Sequence, residues 1–512
     1  MAIWGGVVFP KELETLHDYA FKDCFGLSSI VCKGGEPAKL YTDVFAGVSK
    51  DNFAVEVPEA SLGQYKSFEG WKEFKRITAH HELVCNPQAL MSLNASRKHE
   101  LTLYAEGDWE VAGKPSWCEV SPSRGSGKTQ VTITVNQLAK GAADRSGKVV
   151  FGLVDNDYTS ECEICQYDYV HAEDEWLTLQ KATKGNNGGI NIVVLGDGFD
   201  AKGIADGTCL RDVKQQVENF FAIEPYKSYR DYFNVYTAMA LSAESGVGTE
   251  NSGVQNRFGT EFANGEGVRA NYEDIFSYVL GAPTVTTDNL KETLVMIVPN
   301  TTQYDGITQM WSDGSAIAFC PFSTDNYPYD SRGFVQHEAG GHAFGKLADE
   351  DVTVNTFVDD GTASWISYCQ SLGWYDNISL SAKASVVPWG HLVFDSRYSA
   401  FVDVYEGGYG FARGVFRSEQ ASCMSNYGSY YNTVSRESIV RRIKRYAGEE
   451  FSFEDFVAKD LEGMSSAKAS TNRSSAKAFM ARPSGAKGSF GRRTPVVHKG
   501  SPLANGKVRK HK

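Results

Sequence analysis

The sequence predicts a multidomain chain in which N-terminal all-β sandwich modules precede an α/β domain with helices on a mostly parallel sheet. Three observations carry this. The 512 residues, 42% hydrophobic and 22% charged, have an ordinary globular composition and a length that suits about three domains. Residues 101–104, 109–111, 118–120, 131–135 and 148–154 are short β-type runs separated by turn clusters such as Ser123-Arg124-Gly125-Ser126-Gly127, the spacing of a small sandwich. Further on, the apolar run at 190–195 ends in Gly196-Asp197-Gly198, a buried strand stopped by a tight turn. The third glycine of a dinucleotide loop is not at the required offset.

In chain order, residues 1–88 read as a β-rich region of no assigned type, 89–170 as the sandwich, 185–464 as the α/β domain and 465–512 as a tail. No solenoid-type internal repeat is evident. Residues 465–512 hold 12 of the 51 Lys and Arg and none of the 63 Asp and Glu, which leaves 39 basic against 63 acidic groups, a net −24, on the rest. A tail so poor in apolar residues is expected to be disordered and solvated, and an acidic body argues against nucleic acid as a partner. No apolar run approaches the ~18 residues of a membrane span, and the start lacks the basic and apolar segments of a signal peptide. Cys162 and Cys165 form a Cys-x-x-Cys pair. No second pair follows at zinc-ribbon spacing, and the apparent strand around them turns residues three apart to opposite faces, so they read as structural.

The chemistry concentrates in His337-Glu338-Ala339-Gly340-Gly341-His342, followed by Asp349-Glu350. A hydrolytic zinc centre needs three protein ligands, an open position for water and a base beside it. His337 and His342 supply two ligands and Glu338 the base, with Asp349 the nearest third ligand. The usual motif places two residues between Glu and the second His, and here there are three. On a regular α-helix, positions five apart point about 140° away from each other. A π-turn absorbs the extra residue, and the glycine pair gives the backbone the freedom to form one. Asp330 or Ser331 can cap this helix. Just before it, residues 316–322 (AIAFCPF) read as a strand whose Pro321 suits a sheet edge, open to an extended substrate backbone.

Ordered blocks around this motif extend the reading. Residues 192–199 (IVVLGDGF), 229–236 (YRDYFNVY), 242–247 (SAESGV), 405–408 (YEGG) and 422–427 (SCMSNY) resemble the IgA-specific metalloendopeptidase family, zinc peptidases placed with the metzincins, over roughly residues 189–446. The resemblance implies a zincin-type (metzincin-like) α/β peptidase domain, Zn²⁺ held by His337, His342 and Asp349, Glu338 as general base, Met424 as the residue of the turn beneath the metal, and Tyr427 as a donor to the developing oxyanion. The third His usual in the pattern would fall near Ala348 and is absent, so Glu350, Glu406 and His391 compete with Asp349. Asp351 also stands where an aromatic commonly follows Asp-Glu.

The implied activity is endopeptidase action on extracellular protein or glycoprotein by a secreted or cell-surface enzyme. Upstream, residues 115–122 (PSWCEVSP) and 144–147 (DRSG) are similar to the BACON domain, which implies binding of carbohydrate or mucin, with Trp109 and Trp117 either stacking on sugar or filling the core. Two other classes remain open: a catalytically silent mucin-binding adhesin, separable by metal analysis, and a zinc amidase or deacetylase acting on glycan or cell wall, separable by a substrate panel.

Overall fold

The computed structural model describes residues 6–51, 53–58, 61–80, 83–155, 158–249, 253–263, 267–303, 306–323, 330–426, 428, 430–468 and 494–510. It is rich in β-strands arranged in several sheets, and it divides into two compact units. Met1–Leu90, Ser96–Gln137 and Asp144–Cys165 form one; Met91–Ala95, Leu138–Ala143 and Gln166–Lys512 form the other.

In the first unit, Gly6–Phe9, Ser29–Cys32, Ala54–Pro58 and Arg76–His80 make a four-stranded sheet, all parallel. Val7 stands beside Ile30, Ile30 beside Val55 and Val55 beside Ile77, a step of about two dozen residues each time, as in a solenoid. The loops between the strands stack as well, with Tyr19, Phe21 and Asp23 N–H groups donating to the carbonyls of Thr42, Val44 and Ala46. The region is β-rich, as expected, and its stacked coils replace the expectation of no solenoid-type repeat. The coils share spacing and burial while their residues differ, so self-similarity is weak in the sequence and strong in the backbone.

The expected sandwich is present downstream. One sheet runs Arg124–Ser126, Asp108–Gly113, Arg145–Leu153, Thr159–Gln166, Ala89–Ser92, and the other Cys118–Ser121, Thr129–Val135, Arg97–Ala105, Leu83–Asn86. Along Thr159–Gln166 exposed and buried residues alternate, which buries Cys162 and leaves Cys165 half-buried on the other side. Trp109 is wholly buried against Phe151, and Arg145 lies 4.5 Å over the ring of Trp117. Trp109 is therefore a core residue.

The second unit is built on seven strands, numbered here in chain order: β1 Trp176–Gln180, β2 Ile190–Asp197, β3 Phe233–Ala238, β4 Leu294–Pro299, β5 Ile307–Trp311, β6 Ala316–Phe319 and β7 Val496–His498. Their order across the sheet is β1-β3-β2-β4-β6-β5-β7. The four central strands are parallel, β1 runs against β3 and β5 against β6, and β7 lies parallel to β5. Every residue of β2 is buried because both faces are covered. Ile192 and Val194 pack with Val213, Val217 and Phe220 of helix α1 (Thr208–Phe221), while Val193 and Leu195 pack with Ile275, Phe276 and Val279 of α2 (Tyr272–Val279). After β2, Gly198 holds φ +75° and has no room for a Cβ beside Gly246. The buried Asp197 carboxylate accepts from the N–H groups of Gly198, Phe258 and Thr260, fixing the loop that follows β3.

Two sequence expectations fail in this sheet. The strand at Ala316–Phe319 is internal, between β4 and β5, so Pro321 lies past the end of a central strand and marks no edge. The tail is ordered over residues 494–510: β7 pairs in parallel with β5, Gln309 beside Val496 and Trp311 beside His498. The His498 ring stacks on Trp311 at 4.7 Å, and Val508 is buried in the cluster that contains α2. An edge strand is held chiefly by main-chain hydrogen bonds, which an apolar-poor composition does not reveal. No helix among the described residues is long and apolar enough to cross a membrane.

Deleting residues 494–512 is expected to lower the thermal midpoint of this unit, with a loss on the order of 3 kcal/mol from Val508, Leu503 and the strand pairing. Calorimetry of the truncated chain checks it, and an unchanged midpoint would show that the segment adds no stability.

Candidate metal centre

The segment bearing the two imidazoles begins as a short helix, α3 (Ser331–Val335), capped by Asp330, whose carboxylate accepts from Gly333 N–H at 3.1 Å. From Gln336 to Phe344 the backbone is a π-helix. Each N–H there reaches back five residues, so side chains five apart share a face. The expected π conformation is present, and it runs over nine residues where one turn was anticipated.

The glycine pair has a second reason to be there. A Cβ on Gly341 would collide with the Met424 side chain, whose Cε would lie 2.8 Å away, and one on Gly340 would strike the Tyr431 hydroxyl and come within 3.0 Å of the Tyr226 ring. Both tyrosines hold the widened turn. Tyr226 Oη donates to Gly340 O at 2.6 Å, and Tyr431 Oη donates to Gln336 O. The chain then reverses: Gly345 and Leu347 N–H groups donate to Gly340 and Gly341 carbonyls, both at 2.9 Å, and Lys346 takes a left-handed φ of 55°. The reversal carries Asp349 back over the π-helix, where Tyr409 N–H holds its carbonyl at 3.1 Å.

His337, His342 and Asp349 thereby meet, all three buried. The Nε2 atoms of the two imidazoles are 3.1 Å apart, and Asp349 Oδ1 lies 3.2 Å from His337 Nε2 and 3.3 Å from His342 Nε2. The other nitrogen of each ring is committed, His337 Nδ1 donating to Cys423 O at 3.0 Å and His342 Nδ1 to Leu347 O at 2.9 Å. With those protons placed on Nδ1, both Nε2 atoms are lone pairs. Three acceptors then converge on one point, an arrangement that repels itself without a cation between them. Their separations match the ~3.3 Å between ligands about 2.0 Å from a tetrahedral zinc. The second carboxylate oxygen of Asp349 is buried without a hydrogen-bond partner among the described residues. Burial would raise the Asp349 carboxyl, and positive charge at this point, carried by the imidazoles when they are protonated, more than reverses this and holds it far below the usual carboxylate range. The donor set, two imidazoles and a carboxylate, suits Zn²⁺.

Glu338, 2% exposed, sits beside this cluster, and its Oε2 accepts from Thr308 Oγ1 at 2.8 Å. The other sequence candidates lie elsewhere. Glu350 is buried, but it accepts from Asn377 Nδ2 at 2.7 Å and from Asn432 Nδ2 at 2.8 Å; burial lifts its carboxyl to about 7 against those donors. It is a structural anchor. Glu406 is exposed and caps Gly414 N–H, and His391 pairs with Glu437 at 2.8 Å. Met424 lies beneath Gly341, and Tyr427 falls outside the described residues. Sequence reasoning missed Thr308, Asn377, Asn432, Tyr226 and Tyr431. All lie outside the motif, and no spacing signal links them to it.

Residues 178–393, which hold both imidazoles, Glu338 and Asp349, match the model of the family described as IgA Peptidase M64. This part of the chain belongs to that family. It is a peptidase domain. The match stops short of Met424 and Tyr427 and does not reach the BACON-like segment. No curated protein matches the chain. Among solved structures, a Bacteroides ovatus GH5 xyloglucanase in complex with a XXXG heptasaccharide is similar over 24% of this chain and 28% of its own, with 20% identity and a TM-score of 0.17. This chain thus spans less than a third of that enzyme. WR4, a C. elegans MSP family member, is similar over 18% of this chain and 100% of its own, with 10% identity and a TM-score of 0.14. No functional conclusion follows from likenesses of that extent.

Gly341→Ala is expected to cost about 1–3 kcal/mol by forcing a methyl group into Met424. Adding Met424→Ala should return part of the loss, read from denaturation midpoints of the single and double variants. Wild-type stability of Gly341→Ala would show that Met424 does not exclude a side chain there.

Proposed function

We propose that this peptidase is a zinc-dependent endopeptidase of zincin-type α/β fold acting on extracellular protein, with His337, His342 and Asp349 holding Zn²⁺ and Glu338 as general base. The observation that carries the reading is the convergence of two imidazole lone pairs and a carboxylate oxygen on one buried point. When bound, zinc would polarise the scissile carbonyl and make water a competent nucleophile near neutral pH.

The residues of the chain supply the rest. Cys423 and Leu347 carbonyls fix the ring orientation of both imidazoles, so little rearrangement accompanies metal uptake. Glu338 takes the proton from the attacking water at its free carboxylate oxygen and returns it to the departing amine, so that two peptides leave. The Met424 side chain under Gly341 keeps the π-helix from sliding. A catalytically silent adhesin would have no need for oriented, mutually repelling lone pairs in a buried site. That favours the peptidase reading, and the secreted setting goes with it as part of the same proposal.

Dialysed protein is expected to hold one zinc per chain by elemental analysis, and His337→Ala or His342→Ala to lose it. A metal-free chain that cannot be reloaded would sink the site. Glu338→Gln should keep the zinc and lose turnover by about 10²–10⁴-fold, because an amide cannot accept the proton. The assay is mass spectrometry of new N termini in heat-denatured serum protein. Glycan or cell-wall amide cleavage without any new peptide N terminus would move the enzyme to the amidase class.

A further inference from the structure

We infer that Thr308 is a positioning residue that holds Glu338 in the orientation required of a general base. This rests on the reading of Glu338 given above.

Thr308 lies on β5, a strand remote in sequence from the His-Glu motif. Its neighbours Ile307 and Trp311 pack in the cluster that contains α2, whereas Met310 packs in the cluster that contains the π-helix. Alternation along the strand therefore turns Thr308 toward the π-helix, and it is fully buried there. Its hydroxyl stands 2.8 Å from Glu338 Oε2 and 3.0 Å from Glu338 O. The hydroxyl has one proton for two acceptors, and the ionised carboxylate is the stronger. The backbone carbonyl accepts the weaker arm of this bifurcated hydrogen bond and helps to fix where the hydroxyl sits.

The consequence is geometric. A glutamate side chain has three soft torsions, and an unanchored Glu338 would sample orientations in which neither carboxylate oxygen faces the substrate water. Binding Oε2 to Thr308 removes that freedom and reserves the other oxygen for the substrate water. Because β5 is held between β6 and β7 and the π-helix is held by Tyr226 and Tyr431, both ends of the contact are on rigid elements. The role needs a hydroxyl and little else, so serine should serve and the isosteric valine should not.

The experiment uses the full chain and an internally quenched peptide built on the best bond found in serum protein. Thr308→Val is expected to lower kcat about 10- to 100-fold with KM and zinc content unchanged, and Thr308→Ser to stay within about threefold of wild type. In the Glu338→Gln background, Thr308→Val should have no further effect on kcat, since it acts only through the carboxylate. A readout free of turnover comes from the metal-free protein. The infrared carboxylate band assigned to Glu338 by subtracting the Glu338→Gln spectrum should shift in Thr308→Val and stay in place in Thr308→Ser. Wild-type kcat in Thr308→Val beside an inactive Glu338→Gln would overturn the role of Thr308 and leave the peptidase reading standing. An equal loss on adding Thr308→Val to Glu338→Gln would likewise overturn it. Full activity of Glu338→Gln would instead remove the general base itself.

Discussion

Five positions separate His337 from His342, and the backbone between them must be wider than an α-helix if both rings are to face the same way. Most of the site follows from that constraint. A π-helix leaves carbonyls and space that an α-helix would close, and here tyrosines 226 and 431 take the carbonyls while Met424 takes the space below Gly341. The widened turn is a local cost met by tertiary contacts from three distant segments.

The imidazoles are oriented from behind. Cys423 belongs to the turn that also places Met424, so one short segment both supports the π-helix and sets the His337 ring. The His342 ring is set by Leu347, within the reversal that returns Asp349. Ring orientation and carboxylate placement are thus coupled through a few residues of backbone. Glu350, next to Asp349 in sequence, faces the other way into Asn377 and Asn432, and this pins the far side of the reversal. Adjacent acids here do different work because a chain leaving a tight turn sends successive side chains to opposite sides.

The seven-stranded sheet gives this arrangement its stiffness. Its central strands are buried on both faces, and α1 reaches the π-helix directly through Gln336 Nε2, which donates to Asn219 O at 3.1 Å. The strand that carries Thr308 is held on one side by β6 and on the other by a segment from the far end of the chain. Without that segment β5 would be an open edge, the most mobile position in a sheet.

By itself the sequence determined the local matters: the motif and its chemistry, the need for a π-turn, the Asp330 cap, the strand before Gly196, and the alternation that makes a sandwich of the run from residue 101 to 154. These rest on short-range periodicity and on the side-chain chemistry of neighbours, which a linear reading captures. Tertiary structure alone decided which group joins the imidazoles, since Asp349, Glu350, Glu406 and His391 each offer a competent ligand atom until the reversal after Gly345 is drawn. It also decided that residues 494–510 complete a sheet, that residues 6–80 stack as parallel coils, and that Thr308 meets Glu338. Each of these is a pairing between segments far apart in the chain, where main-chain hydrogen bonds and shape complementarity do the selecting, and neither leaves a periodic mark on the residues involved.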